Sequence, residues 1–176
     1  IGGAPESIVF DASGNAYVGE AVGSDIVKLG SNGNVLDTFQ AGTHNRGTGW
    51  VDLASDQRTL YYTSFTFDIA AYDVAADQQL ADPYVDAQET DSTLGLRILA
   101  NGDILAANLV DVLRIDGAGN VTQTYLPGNT GELASLSLDD DGASFWVAEQ
   151  ATGVVRHVAL ANGAAPGNFT AGTPVQ

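Results

Sequence analysis

The 176-residue sequence predicts an all-β fold, a β-propeller-type array of four four-stranded antiparallel blades, and three observations carry that prediction. Short runs of alternating apolar residues are separated by Gly/Asn/Ser/Asp clusters, the pattern of strands joined by hairpin turns. The residues closing the second run of each copy, Glu20, Ser64, Asn108 and Glu149, recur at spacings of 44, 44 and 41. A late aromatic in each copy, Phe39, Tyr84, Tyr125 and Phe169, gives a second ruler of similar length. A period of about 40–45 residues holding four strands is the signature of propeller blades.

The first copy, Pro5 to Ala41, holds four runs: Ser7–Asp11, Ala16–Glu20, Ile26–Leu29 and Val35–Phe39. Gly14-Asn15 and Gly33-Asn34 punctuate them as turns. The second copy, Gly49 to Ala87, has strands expected near Trp50–Ala54, Leu60–Phe65, Ile69–Val74 and Leu80–Val85. Pro83 falls in the last of these, which suits an outermost, edge strand because proline cannot donate to a ladder. The third copy runs from Leu94 to Leu126 and the fourth from Leu133 to Ala171, all within one domain, 1–176. Asp139-Asp140-Asp141-Gly142 occupies the slot of Ser13-Gly14-Asn15 and reads as a hairpin turn; it lacks the alternating acids of a calcium loop. Lys28, Arg114 and Arg156 recur in third strands and are expected to pair with acids across a blade.

The net charge is −16, with six Lys and Arg against 22 Asp and Glu. Such a surface repels phosphate backbones and anionic lipid, so neither nucleic acid nor membrane is expected as a partner. Cysteine is absent, which removes disulfides, thiolate zinc sites and thiol catalysis. The lack of Met together with abundant Gly, Ala, Asp and Thr suggests a secreted or periplasmic prokaryotic protein. No leader is visible before Ile1, so a precursor extending further upstream is expected. An open arc of four blades would expose two apolar blade faces. Self-association of two chains into one ring, or further blades in a longer chain, is therefore expected ahead of the alternative that the four blades close into a ring alone.

Propeller symmetry would bring Glu20, Ser64, Asn108 and Glu149 to equivalent places beneath the face of the longer loops. Two carboxylates and an amide there suit a hard divalent cation such as Ca²⁺. The competing reading is that the slot needs a polar residue to accept turn N–H groups. His44, Arg46 and Trp50 lie on or beside the longest linker and are the candidate ligand-binding residues of that face.

The first and third copies resemble the NHL repeat and, more broadly, the SMP-30/gluconolactonase-like propellers. The matching residues are Pro5, Asp11, Gly14-Asn15, Tyr17-Val18, Ile26 and Gly33, then Gly102-Asp103, Ile104-Leu105, Val112–Asp116 and Gly119-Asn120. The resemblance implies a propeller, usually of six blades, of which four are readable here. In the lactonase-like members acidic and amide residues at first-strand starts hold a divalent metal; Glu6 and Glu132 match that place, while Trp50 and Leu94 cannot ligate. Streptogramin-lyase-like propellers share the repeat style and use a His and a Glu on the loop face, for which His44 is the candidate; His157 falls in a third strand, away from the channel. The sequence thus favours a non-catalytic scaffold or ligand-binding module acting through its linker face, with a metal-dependent hydrolase or lyase as the alternative.

Overall fold

The computed structural model describes residues 3–43, 45–85, 92–165 and 167–171. Among these there are sixteen strands and no helix. Four antiparallel meanders result, each of four strands in sequence order, as a propeller blade requires. The first blade comprises β1 (Pro5–Phe10), β2 (Ala16–Glu20), β3 (Asp25–Leu29) and β4 (Val35–Gln40). The second comprises β5 (Val51–Leu53), β6 (Thr59–Thr63), β7 (Ile69–Asp73) and β8 (Gln78–Gln79). The third holds β9 (Leu96–Ile98), β10 (Ile104–Ala107), β11 (Val112–Ile115) and β12 (Val121–Tyr125). The fourth holds β13 (Leu133–Leu138), β14 (Ser144–Glu149), β15 (Val154–Ala159) and β16 (Gly167–Thr170). Contacts gather into two compact units, Ile1–Thr93 and Leu94–Gln176, with two blades in each.

The turns explain why these short strands pair. Asp11 Oδ1 accepts the Ser13 and Asn15 amides, both at 2.9 Å, and Gly14 N–H donates back to the Asp11 carbonyl at 3.0 Å. Gly14 sits at φ 79°, a conformation that side chains with a Cβ resist. The same device recurs at Asp116–Asn120, where Asp116 Oδ1 accepts the Ala118 and Asn120 amides. Asp139–Gly142 is also such a turn, closed by Gly142 N–H to the Asp139 carbonyl at 3.0 Å. The hairpin reading of that acidic run is correct.

The outer strand of the second blade differs from the expected Leu80–Val85. It is Gln78–Gln79, after which pairing lapses until Ile69 meets Tyr84 in a single bridge. Pro83 removes a donor at the break, and before it the Leu80 amide and the Gln79 side chain both reach the Ala71 carbonyl. Gln79 Nε2 donates to the Ala71 carbonyl, and its Oε1 accepts the Gly42 amide, each at 2.9 Å.

Each unit has its own core between its two blades. In the first, Tyr17, Ile26 and Phe39 meet Val51, Leu60, Tyr62 and Tyr72, with Phe39 5.9 Å from the Tyr72 ring. In the second, Tyr125 packs edge-on against Phe145 at 5.2 Å and donates its hydroxyl to the Leu160 carbonyl at 2.9 Å. Two residues of the aromatic ruler, Phe39 and Tyr125, are therefore the links from one blade to the next. A third, Phe169, is 57% exposed. In β1 the alternation leaves Ile8 and Phe10 outside, 52% and 62% exposed, while Val9 packs on the first core.

Third-strand cations do pair across their blades. Lys28 Nζ lies 3.3 Å from Asp11 Oδ2 and donates to the Tyr17 hydroxyl at 2.8 Å. Arg114 Nε donates to Asp103 Oδ2 at 2.7 Å, and Arg156 Nε to Glu149 Oε1 at 2.5 Å.

Candidate functional site

The four residues that close the second strands were the sharpest expectation of a site. Glu20 and Ser64 lie in the first unit, Asn108 and Glu149 in the second. Ser64, Asn108 and Glu149 each contact the turn that follows their own strand. Glu149, its side chain 2% exposed, accepts from Asn129 Nδ2 at 2.8 Å, from Arg156 Nε and from the Thr152 hydroxyl. Burial pushes the Glu149 carboxyl up; the hydrogen bonds from Thr152, Asn129 and Arg156 outweigh it and hold the group below its ordinary value. Asn108 Oδ1 accepts the Asp111 amide at 2.8 Å, and Ser64 Oγ lies 3.5 Å from Thr66 Oγ1. The contacts with Thr152, Asp111 and Thr66 close the turns that lead from second to third strands.

Glu20 is the exception. It is 3% exposed, and the Gly3 amide donates to its Oε1 at 3.2 Å. Three and seven residues after Glu149 stand Thr152 and Arg156, both donors to it; three and seven after Glu20 stand Gly23 and Val27. Glycines also line the carboxylate closely, since a Cβ on Gly3 would lie 2.5 Å and one on Gly23 3.1 Å from Oε2. Glu20 is thus a buried acid packed against the backbone of Gly3 and Gly23, as Glu149 is against Gly131, but with fewer side-chain donors.

The candidates at first-strand starts lie beside these slots in the register: Pro5, next to Glu6, pairs with Glu20, and Leu133, next to Glu132, pairs with Glu149. Glu132 is exposed at φ 61°, and its Oε2 accepts from Gln150 Nε2 at 3.0 Å. Trp50 is half-buried, and its amide donates to Thr63 Oγ1 at 3.2 Å. Among the described residues there is no group of three or more His, Asp or Glu arranged to hold a metal ion. His44 lies outside the described residues.

Arg46 has a setting of its own. Its guanidinium carbon is 5.7 Å from the Phe65 ring centroid, and its amide donates to the Ser64 carbonyl at 3.4 Å. Asn45 Nδ2 donates to the Phe65 carbonyl at 3.2 Å, tying the linker to the loop after β6. Phe65 holds φ at 58°, which turns its ring toward the linker at a backbone cost. Partial desolvation raises the Glu6 carboxyl above its ordinary value, and the Arg46 charge draws it part of the way back. Of the other cations, Lys28, Arg58, Arg114 and Arg156 are held in ion pairs within their blades, and Arg97 donates to the Leu96 carbonyl. Among the described residues no carboxylate lies within ion-pair distance of Arg46. The sequence pointed to Arg46 through its linker, but nothing in it marked Phe65.

A second polar cluster escaped the sequence reading. Asp139 accepts from Trp146 Nε1 and His157 Nε2, both at 2.7 Å, and from the Ser144 hydroxyl. These three hydrogen bonds, that of Ser144 foremost, lower the Asp139 carboxyl. His157 stacks on Trp146 with centroids 4.3 Å apart. A Ser-His-Asp relay requires serine and aspartate on opposite ring nitrogens. Here Nε2 faces both, at 2.9 and 2.7 Å, so the cluster is a staple of the fourth blade. Register equates it with the Tyr17–Lys28 pair and Asp11 of the first blade.

Comparison with solved structures agrees with the strand topology. A virginiamycin B lyase from Staphylococcus aureus superposes with a TM-score of 0.76 at 17% identity, over 97% of this chain and 57% of that one. A streptogramin B lyase gives 0.77 at 17%, over 94% and 54%. Hydrazine synthase of Kuenenia stuttgartiensis gives 0.73 at 15%, over 94% and 48%. The fold is that of a β-propeller. At these identities the likeness extends to the fold alone, and the chain spans little more than half the length of the lyases. No protein-family model and no curated protein sequence matches the chain.

Proposed function

We propose that this chain is a non-catalytic propeller scaffold that binds a ligand on its linker face, with Arg46 as the anchor. The observation that carries the reading is the setting of Arg46. In a chain of net charge −16, this guanidinium lies over an aromatic ring and outside any ion pair among the described residues. Arg46 and Phe65 together suit an oxyanion carried on an aryl group, which a guanidinium meets with two parallel donors while the ring stacks. Phenyl phosphate is the probe of choice. Calorimetric titration is expected to show saturable binding, with Arg46→Ala weakening it about tenfold and Arg46→Lys falling between, because lysine keeps the charge and loses the fork. Equal binding by all three proteins would overturn the reading.

The alternative, a metal-dependent hydrolase or lyase of the gluconolactonase-like group, draws support from Glu20. A buried carboxylate that accepts, among the described residues, only the Gly3 amide is the kind of donor a Ca²⁺ site uses. Glu149, whose oxygens already accept three side-chain donors, fits that role less well. The NHL and gluconolactonase resemblance rests on the turn and strand motifs of the first and third blades and supports both readings. For partners, we assign the exposed Ile8 and Phe10 of the first blade to contact with a second copy or with further blades of a longer chain. The mass in solution by light scattering separates these two.

A further inference from the structure

We propose that the cleft between the third and fourth blades binds a small organic cation with an apolar body, at a place distinct from the linker face. The cleft measures about 730 Å³, a volume typical of small-molecule sites. Its walls are Ile98, Leu99, Leu138 and Leu160, and its mouth is set by the hairpin turns that carry Asn101 and Asp140.

The first unit shows why this gap is a particular feature rather than a consequence of two blades meeting. Gln57 and Gly142 hold the same place in their turns: each N–H donates back three residues, to Ala54 and to Asp139, and both have positive φ, 58° and 64°. Ala12 and Ala100 likewise match in the partner turns. In the first unit the Gln57 side chain spans the gap, its Oε1 accepting the Ala12 amide at 2.6 Å. In the second unit glycine offers no side chain to do so, and both Gly142 and Ala100 line the open cleft.

Charge decides what enters. Arg114 lines the cleft, but Asp103 neutralises it at 2.7 Å. The Asp139 carboxylate is taken by Trp146, His157 and Ser144. Asp140 is exposed at the mouth, and among the described residues no ion pair or side-chain hydrogen bond engages it. Aliphatic walls beneath a single uncommitted carboxylate fit an alkyl or aryl ammonium and disfavour a carboxylate or phosphate.

The test is an amide-shift titration of the intact chain with 4-phenylbutylammonium, 4-phenylbutyrate, 4-phenylbutanol and methylammonium at physiological ionic strength. The expected result is saturable movement of the Asn101, Asp140 and Leu160 amides. The aryl ammonium should bind about tenfold tighter than the carboxylate, and methylammonium should leave those amides still. Asp140→Asn should cut the discrimination between ammonium and alcohol severalfold, and Gly142→Gln should weaken the ammonium about tenfold by restoring the bridge of the first unit. If Gly142→Gln does not fold, Ala100→Trp, at an exposed position on the opposite turn, blocks the same space. Equal affinity for all three aryl probes, shifts scattered over the acidic surface, or unchanged binding in the blocked variants would each overturn the proposal.

Discussion

Phe145→Ala is expected to lower the unfolding free energy by about 3–5 kcal/mol, the range for emptying a buried aromatic site. Phe145 is fully buried at the join of the third and fourth blades, where the Tyr125 ring meets it edge-on and Val147 and Val158 line the same core. A strand-bound neighbourhood cannot collapse far into the space, so most of the loss is felt. The chain carries its own reporters: Trp146 stands in the second unit and Trp50 in the first. Urea unfolding of the Trp50→Phe background, followed by Trp146 fluorescence, should show the midpoint falling when Phe145 is also replaced. An unchanged midpoint would mean that this core does not hold the second unit together.

Arg156→Met is expected to cost about 3–5 kcal/mol at neutral pH, because it leaves the Glu149 carboxylate buried without its cation. The pH dependence gives the prediction its sign. In the folded chain the Glu149 carboxyl is held below its ordinary value, so its contribution is present above the unfolded pKa and lost as pH falls through the folded one. Without Arg156 burial gains ground over the two remaining donors, and the carboxyl rises. The gap in stability between the two proteins should therefore be widest near neutrality and narrow on acidification, as Glu149 takes up its proton. A gap that stays constant with pH would show that Arg156 acts through packing alone. The double variant Glu149→Gln, Arg156→Met should recover part of the loss.

Much of this was readable from the chain itself. The Asp–Gly–Asn turns fixed blade length because their chemistry is local: Asp11 and Asp116 cap amides two and four residues on, and glycine supplies the positive φ. The pairing of Lys28 and Arg114 with acids followed from cross-strand distance. The second blade's outer strand was misplaced because the ladder is interrupted near Pro83, leaving Gln78–Gln79 and a single Ile69–Tyr84 bridge where a continuous strand was expected. The carboxylates were legible as a repeating position but not as two different sites. The contrast between Glu149 and Glu20 lies in Thr152 and Arg156 against Gly23 and Val27, which gains meaning only once register aligns them. Phe65 was invisible as a site residue because its place depends on a backbone conformation that phenylalanine seldom adopts.

The amide spectrum of the whole chain, recorded during separate titrations with phenyl phosphate and with Ca²⁺, tests the proposed function most directly. Binding through the linker face predicts that phenyl phosphate moves the amides of Asn45, Arg46 and Phe65 and that Ca²⁺ leaves the surroundings of Glu20 unchanged. Movement of Gly3, Ala21 and Gly23 with Ca²⁺, and none at Arg46 with phenyl phosphate, would contradict it and place the chemistry at the buried carboxylate.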